Sequence, residues 1–235
     1  MAEKYPQYTP FNYTLNNPIR FVDPDGMEVE GVDDWVESAK GNIYWDKNAT
    51  SQKTTKAGEK YLGKAVVVFN GSKDEKLSKD GKLTGNGANP ASVTVYGING
   101  KNDIKTHEGL TMSSDHSKYS VLNEGWYDGT PDEMSGDRVF NYFTSADKKN
   151  HVDNEPSLPY RLSQDGNSIL DGTNGGKPTT MSGVFFHRTN NDGFAGIKKG
   201  HAISEGCPVV NGANWADIKK SLGTNISIKI GVFRK

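Results

Sequence analysis

Hydrophobic and polar residues alternate at period two in two places. One is Ser92-Val93-Thr94-Val95-Tyr96-Gly97, and the other is Ile226-Ser227-Ile228-Lys229-Ile230-Gly231-Val232. Such alternation turns one set of side chains to a core and the other to water, so each stretch predicts a β-strand. The second is expected to be the last strand. Ala65 to Phe69, Arg138 to Phe143 and Gly183 to Arg188 are β-branched or aromatic runs and predict three more. Tyr160-Arg161-Leu162 and Ser168-Ile169-Leu170 flank a Gly turn, and Tyr119 to Leu122 leads into Glu124–Gly129, which reads as a turn. Asp33 to Val36 and Asn42 to Trp45, set around Lys40-Gly41, predict a small hairpin. One helix is expected: Asn214 as N-cap, Trp215 to Leu222 as body and Gly223 as stop. No 20–50-residue repeat runs through the chain. The fold class is mainly β, a sandwich or barrel-like domain with one or two short helices.

Composition narrows the function classes. Net charge is -1 over 235 residues, which excludes a broadly basic nucleic-acid binder and an acidic solvating tail. No apolar run approaches the ~18 residues of a membrane span. Met1 to Tyr8 carries no apolar segment of a Sec signal. The single cysteine, Cys207, excludes an internal disulfide and a four-Cys zinc site. His107, His116 and His151 are scattered among polar loops and form no HxxxH or HxH pair, so neither a metal nor another cofactor is expected. Gly172 to Lys177 lacks the strand, spacing and helix of a P-loop and reads as turn or lid material.

Three segments follow from the pattern. Residues 1–30 show no strand or helix period and carry paired Asn, four Pro and a DPDG turn. Residues 31–88 form a spacer that ends in the Gly/Lys/Asp/Ser loop Lys73 to Ala88. Residues 89–235 hold most of the predicted strands. The first segment, Tyr8-Thr9-Pro10-Phe11-Asn12-Tyr13 followed by Asn17-Pro18-Ile19-Arg20-Phe21-Val22-Asp23-Pro24-Asp25-Gly26-Met27, resembles the end of the core in Rhs/YD-repeat proteins. In that family a β-repeat shell ends at an NPxRxxDPxG segment and a variable toxin domain follows. Aspartates of the motif serve self-cleavage in some members, which makes Asp23 and Asp25 the matching positions. The WDKNATSQ…GEKYLGK segment resembles a spacer found after this motif in Rhs proteins of the Bacteroidetes type.

Chemistry concentrates between residues 186 and 210. Cys207 follows Ser204-Glu205-Gly206, and His187 ends an apolar run twenty residues earlier. A Cys nucleophile needs a base, because a free thiol titrates near ~8.5. It also needs N–H groups for a developing oxyanion. A preceding Gly allows a tight turn and close approach of substrate. A strand-ending His is held rigidly enough to be that base. His201, in a Gly-rich loop, is a second candidate base. A buried, inert thiol is the structural alternative.

His187 followed by Ser204-Glu205-Gly206-Cys207 resembles the signature of L,D-transpeptidases of the YkuD type, a His, a spacer and then Ser/Thr-x-Gly-Cys. Residues 183–215 carry the likeness. Gly109 to Asp115 and Glu124 to Tyr127 are reminiscent of small phage-associated or effector relatives. The resemblance implies Cys207 as acylated nucleophile, His187 as general base and later proton donor, and Ser204 as a hydrogen-bonding residue of the site. It implies that Gly206 and the Cys207 N–H line the oxyanion hole. The family's Gly after the His is Arg188 here, its His before Gly-Cys is Glu205, and its Arg or Asn two residues past the Cys is Val209. Arg188 is placed to supply the missing charge to a substrate; otherwise it is a solvated strand end.

Together the two resemblances imply a delivered antibacterial toxin domain acting on peptidoglycan stem peptides in the target periplasm, with a cognate immunity protein as partner. Residues 186–235 hold eight Lys/Arg against three Asp/Glu, which suits an anionic wall polymer or simply a solvated face. Two other classes stay open: a metal-free nuclease toxin using His187 or His201, which would not need Cys207, and a non-catalytic β domain with a buried thiol.

Overall fold

Both alternating stretches form strands, and they lie in one closed barrel. The computed structural model describes residues 21–22, 30–31, 33–72, 74–112, 121–122, 124–134, 137–143, 158–161, 173–174, 177–178, 180–181, 184–189 and 206–235. The chain divides into two units, Met1–Lys64 and Ala65–Lys235.

In the first unit, β1 (Phe21–Val22) pairs antiparallel with β2 (Glu30–Gly31). Strands β3 (Asp34–Glu37), β4 (Ile43–Asp46) and β5 (Lys60–Gly63) make a separate antiparallel sheet with β3 in the middle. The expected hairpin is β3–β4. Its turn uses Gly41 at φ 82°, where a side chain would be strained. Trp35 and Trp45 are cross-strand partners and meet edge to face with centroids 5.0 Å apart. Residues 1–20, Asp23 and Asp25 lie outside the described residues.

The second unit runs β6 (Val66–Gly71), β7 (Ala91–Tyr96), β8 (Ile104–Leu110), β9 (Val121–Leu122), β10 (Gly125–Met134), β11 (Asp137–Phe143), β12 (Leu158–Arg161), β13 (Thr173–Asn174), β14 (Lys177–Pro178), β15 (Thr180–Met181), β16 (Phe185–Arg188), β17 (Val209–Val210), α1 (Trp215–Ser221) and β18 (Ile228–Arg234). Eight of these strands close a barrel in the order β10-β11-β16-β17-β8-β7-β6-β18. The β16–β17 and β18–β6 pairs are parallel and the other pairs are antiparallel. Strands β12, β15 and β9 form a small sheet, and β13 pairs antiparallel with β14.

The inward set of the alternating strands builds the core. Val93 and Val95 of β7 face Val67 and Phe69 of β6, and beyond these Ile230 and Val232 of β18. Helix α1 closes the end where β7 turns into β8, adding Trp215, Ile218 and Leu222 to the same core. The helix is as expected, with Gly223 at φ 70° stopping it. Its cap differs. Asn214 makes no side-chain cap bond, whereas Asn211 accepts from Ala213 N–H at 3.0 Å and starts a 3₁₀ turn that leads into the helix.

Three expectations change. The division drawn at 88/89 moves to 64/65, because β6 is a barrel strand paired on both sides, and Lys73 to Ala88 connects it to β7. Leu77 and Leu83, hidden among polar residues of that connection, pack on Leu110 and Val209 outside the barrel. Glu124–Gly129 is not a turn; residues from Gly125 onward belong to β10. Its Gly129 makes room for β18, since a Cβ there would sit 2.7 Å from Ile230 Cδ1. His107 lies on β8 and not in a loop. It is opposite Val93 and faces the core, and burial holds its imidazole below the ordinary value.

Candidate active site

Phe186 is the anchor of the site. It is fully buried on β16 and packs against Phe69, Phe140 and Trp215 at centroid distances of 5.5, 6.0 and 5.1 Å. Alternation then turns its neighbours Phe185 and His187 to the outer face of the barrel. Burial of one aromatic residue thus fixes the strand that carries the candidate base.

Cys207 enters through β17. His187 and Val209 are partners in the parallel β16–β17 pair, so Cys207, two residues ahead of Val209, lies alongside Phe185. The Phe185 N–H donates to Cys207 Sγ at 3.4 Å. Cys207 is partly exposed and also touches the core. Gly206, just before it, has φ 127°, a backbone region that favours glycine. The β16–β17–β8 pairing continues past the strands, through Thr189 N–H to the Val210 carbonyl at 2.9 Å and Asn211 N–H to the Glu108 carbonyl at 3.0 Å. The structure therefore places Cys207 two residues ahead of β17, the parallel neighbour of the strand that carries His187, across twenty residues of chain.

The His187 ring is oriented by a backbone group. Its Nδ1 lies 3.0 Å from the Arg188 carbonyl oxygen. A carbonyl only accepts, so Nδ1 carries the proton and Nε2 keeps its lone pair. Burial pushes the imidazole below its ordinary value and the Arg188 charge adds to this, while the backbone bond opposes them. A neutral ring with a free Nε2 lone pair is the state that accepts a proton from a thiol.

Arg188, at the end of β16, is 37% exposed and ion-paired. Its Nε donates to Asp137 Oδ2 at 2.9 Å and its Nη1 to the Thr189 carbonyl at 3.2 Å. Lys219 of α1 holds the other Asp137 oxygen at 2.6 Å. Burial alone would raise the Asp137 pKa, but the bonds from Lys219 and Arg188 outweigh it and hold it at about 2. The rim beside Cys207 carries a second network. Thr111 donates to Glu75 from both N–H and Oγ1, and Arg234 donates to Thr111 Oγ1, the Thr111 carbonyl and the Leu122 carbonyl at 2.6–2.7 Å.

Ser204 and His201 lie outside the described residues, as do Glu205, His116 and His151. Three groups of the site escaped the sequence: the Phe185 N–H, the Arg188 carbonyl and the Asp137 carboxylate. The first two are backbone groups, which every residue has. The third is fifty residues upstream and is brought in only by the β11–β16 pairing. Among the described residues no group of three or more His, Cys, Asp or Glu is placed to hold a metal ion, and no helix is long and apolar enough to cross a membrane. Protein-family models, curated proteins and solved structures give no match to this chain.

Proposed function

We propose that the second unit is a cysteine acyltransferase, an L,D-transpeptidase or L,D-carboxypeptidase, that acts on peptidoglycan stem peptides. The observation that supports this reading is the parallel pairing of β16, which carries His187, with β17, which begins two residues after Cys207, together with the tie of His187 Nδ1 to a carbonyl and the N–H received by the thiol sulfur. The likeness of Ser204-Glu205-Gly206-Cys207 to the family signature supplies the substrate class.

The chemistry follows from these groups. His187 Nε2 takes the thiol proton and the sulfur attacks the carbonyl of the L-centre of the stem's diaminopimelate. The oxyanion is held by the N–H groups at Gly206 and Cys207. The intermediate collapses to a thioester, and the D-Ala amine leaves with the proton from His187. Water then gives hydrolysis, a D-amino acid gives exchange, and the amine of a second stem gives a cross-link. The leader's likeness to Rhs proteins supports delivery as an antibacterial toxin to a target periplasm, with an immunity protein as partner.

The test is incubation of wild type and Cys207→Ala with purified peptidoglycan tetrapeptides, followed by mass spectrometry. Loss or exchange of D-Ala by wild type alone is the expected result. A folded wild type with a titratable thiol that leaves every stem peptide intact would overturn the reading and move the search to nucleic-acid substrates.

A further inference from the structure

The polar bonds around α1 converge on one carboxylate. Asp137 is the first residue of β11, and it joins three elements: its own strand, β16 through Arg188, and α1 through Lys219. Arg188 is also the residue whose carbonyl accepts the His187 Nδ1–H. On a strand, the Arg188 side chain and the His187 ring point to opposite faces. Asp137 therefore reaches the imidazole through the Arg188 peptide unit and not by contact.

We propose that Asp137 is a positioning residue that clamps the Arg188 side chain, so that the Arg188 carbonyl holds His187 in the Nδ1–H tautomer. This rests on the reading of Cys207 and His187 as nucleophile and base. With the clamp in place, the Arg188 peptide is held by the Thr189 N–H bond to the Val210 carbonyl and, through the Arg188 side chain, by the bonds to Asp137 and the Thr189 carbonyl. Without it the bond from the Thr189 N–H to the Val210 carbonyl is left to hold this peptide, and the Arg188 carbonyl tilts more freely. The ring then also samples the Nε2–H tautomer, which has no lone pair where the thiol proton must go. Asp137 also neutralises the two cations at this end of the barrel. Among the described residues Arg188 is the charge that acts on His187, and the groups facing Asp137 are Lys219, Arg188 and the indole N–H of Trp215.

The single cysteine makes a test that needs no substrate. Iodoacetamide alkylation reads Cys207 alone, and nitrogen-15 NMR of the imidazole reads the His187 tautomer. Asp137→Asn is expected to slow alkylation at neutral pH by about 10- to 100-fold, the scale on which a misplaced group loses effect. It is also expected to move the His187 signals from a pure Nδ1–H pattern to a mixture. Asp137→Glu, which keeps the charge, should restore part of both. A folded Asp137→Asn protein with wild-type alkylation and an unchanged tautomer would overturn the proposal. If that variant does not fold, Arg188→Lys takes its place. It keeps a cation but loses the guanidinium fork, and wild-type behaviour there would overturn the proposal equally. The two readings fail separately. A reactive thiol that processes no stem peptide sinks the substrate class and leaves the clamp. Stem-peptide turnover with an indifferent Asp137→Asn sinks the clamp alone.

Discussion

The two ends of the barrel are each tied by a carboxylate and a guanidinium, yet they use them oppositely. At the α1 end, Asp137 meets Arg188 and Lys219 directly, and its side chain is 25% exposed. At the Cys207 rim, Glu75 and Arg234 are each only 5% exposed, and the bonds between them pass through Thr111. The Asp137 pKa is held down at about 2, whereas burial pushes Glu75 above its ordinary value despite the Thr111 bonds and the Arg234 charge. An ion pair in partial contact with water favours the charged carboxylate; a buried network holds the same group against its desolvation. The first end can lose its partners gradually, and the second cannot.

Removing a buried partner should therefore have the largest effect. Arg234→Ala strands three acceptors, Thr111 Oγ1 and the carbonyls of Thr111 and Leu122, and leaves Glu75 without its cation. Such a loss costs about 3–5 kcal/mol. In a domain of this size it lowers the melting temperature by roughly 6–20 °C. A calorimetric shift of only a degree or two would show that water replaces the guanidinium and that the rim is not the dry end.

The cysteine turn at that rim should be next. Alanine at Gly206 has to adopt φ 127°, where an L side chain is strained. The expected cost is about 1–3 kcal/mol, together with slower alkylation of Cys207 as the turn relaxes. A Gly206→Ala protein as stable and as reactive as wild type would mean that the backbone here adopts an ordinary conformation at no cost.

Acid titration sharpens the contrast by sign. Asp137, lowered to about 2, contributes stability that is complete above its ordinary value of 3.8 and lost as pH falls through about 2. Glu75, raised above 4.5, contributes stability that is present below that value and lost as pH rises through its higher folded pKa. Urea unfolding from pH 7 to 2 should show the advantage of wild type over Asp137→Asn shrinking by about 1 kcal/mol below pH 4, a figure reduced for solvent screening. The advantage of wild type over Glu75→Gln should instead grow as pH falls. Difference curves of the same slope would erase the distinction between the ends.

What the sequence disclosed of this arrangement follows the range of its physical signals. β7 and β18 were legible because alternation is a local consequence of a sheet with one buried face. α1 was legible because Gly223 marks its end. His187 and Cys207 were legible as residue types in a known order. β8 was missed because Lys105, Thr106, His107 and Glu108 give no apolar alternation, even though His107 faces the core. β10 was missed because Gly125 and Gly129 resemble turn formers when their packing partners on β18, about a hundred residues away, are not in view. Asp137 carried no signal for the same reason. Its role depends on which strands pair, and register is a long-range property.

The smallest effect should come from the exposed ion pair on α1, and it sets the scale for the others. Lys105 Nζ lies 2.7 Å from Asp217 Oδ1, with side chains 36% and 49% exposed. A few residues along the same helix, Ser221 is 1% exposed and donates to Asp103 Oδ1 at 2.8 Å. The distances are alike, so distance alone predicts equal losses. Exposure predicts otherwise. Asp217→Asn, which leaves Lys105 beside Asp103 Oδ1, should change stability by at most about 0.5 kcal/mol and should lose even that in high salt. Ser221→Ala leaves a buried carboxylate oxygen short of a donor and should cost about 1–2 kcal/mol regardless of salt. Chemical denaturation of both variants at low and high ionic strength decides it. Equal losses would mean that contact geometry, and not removal from water, sets the strength of the bonds that hold this helix on the barrel.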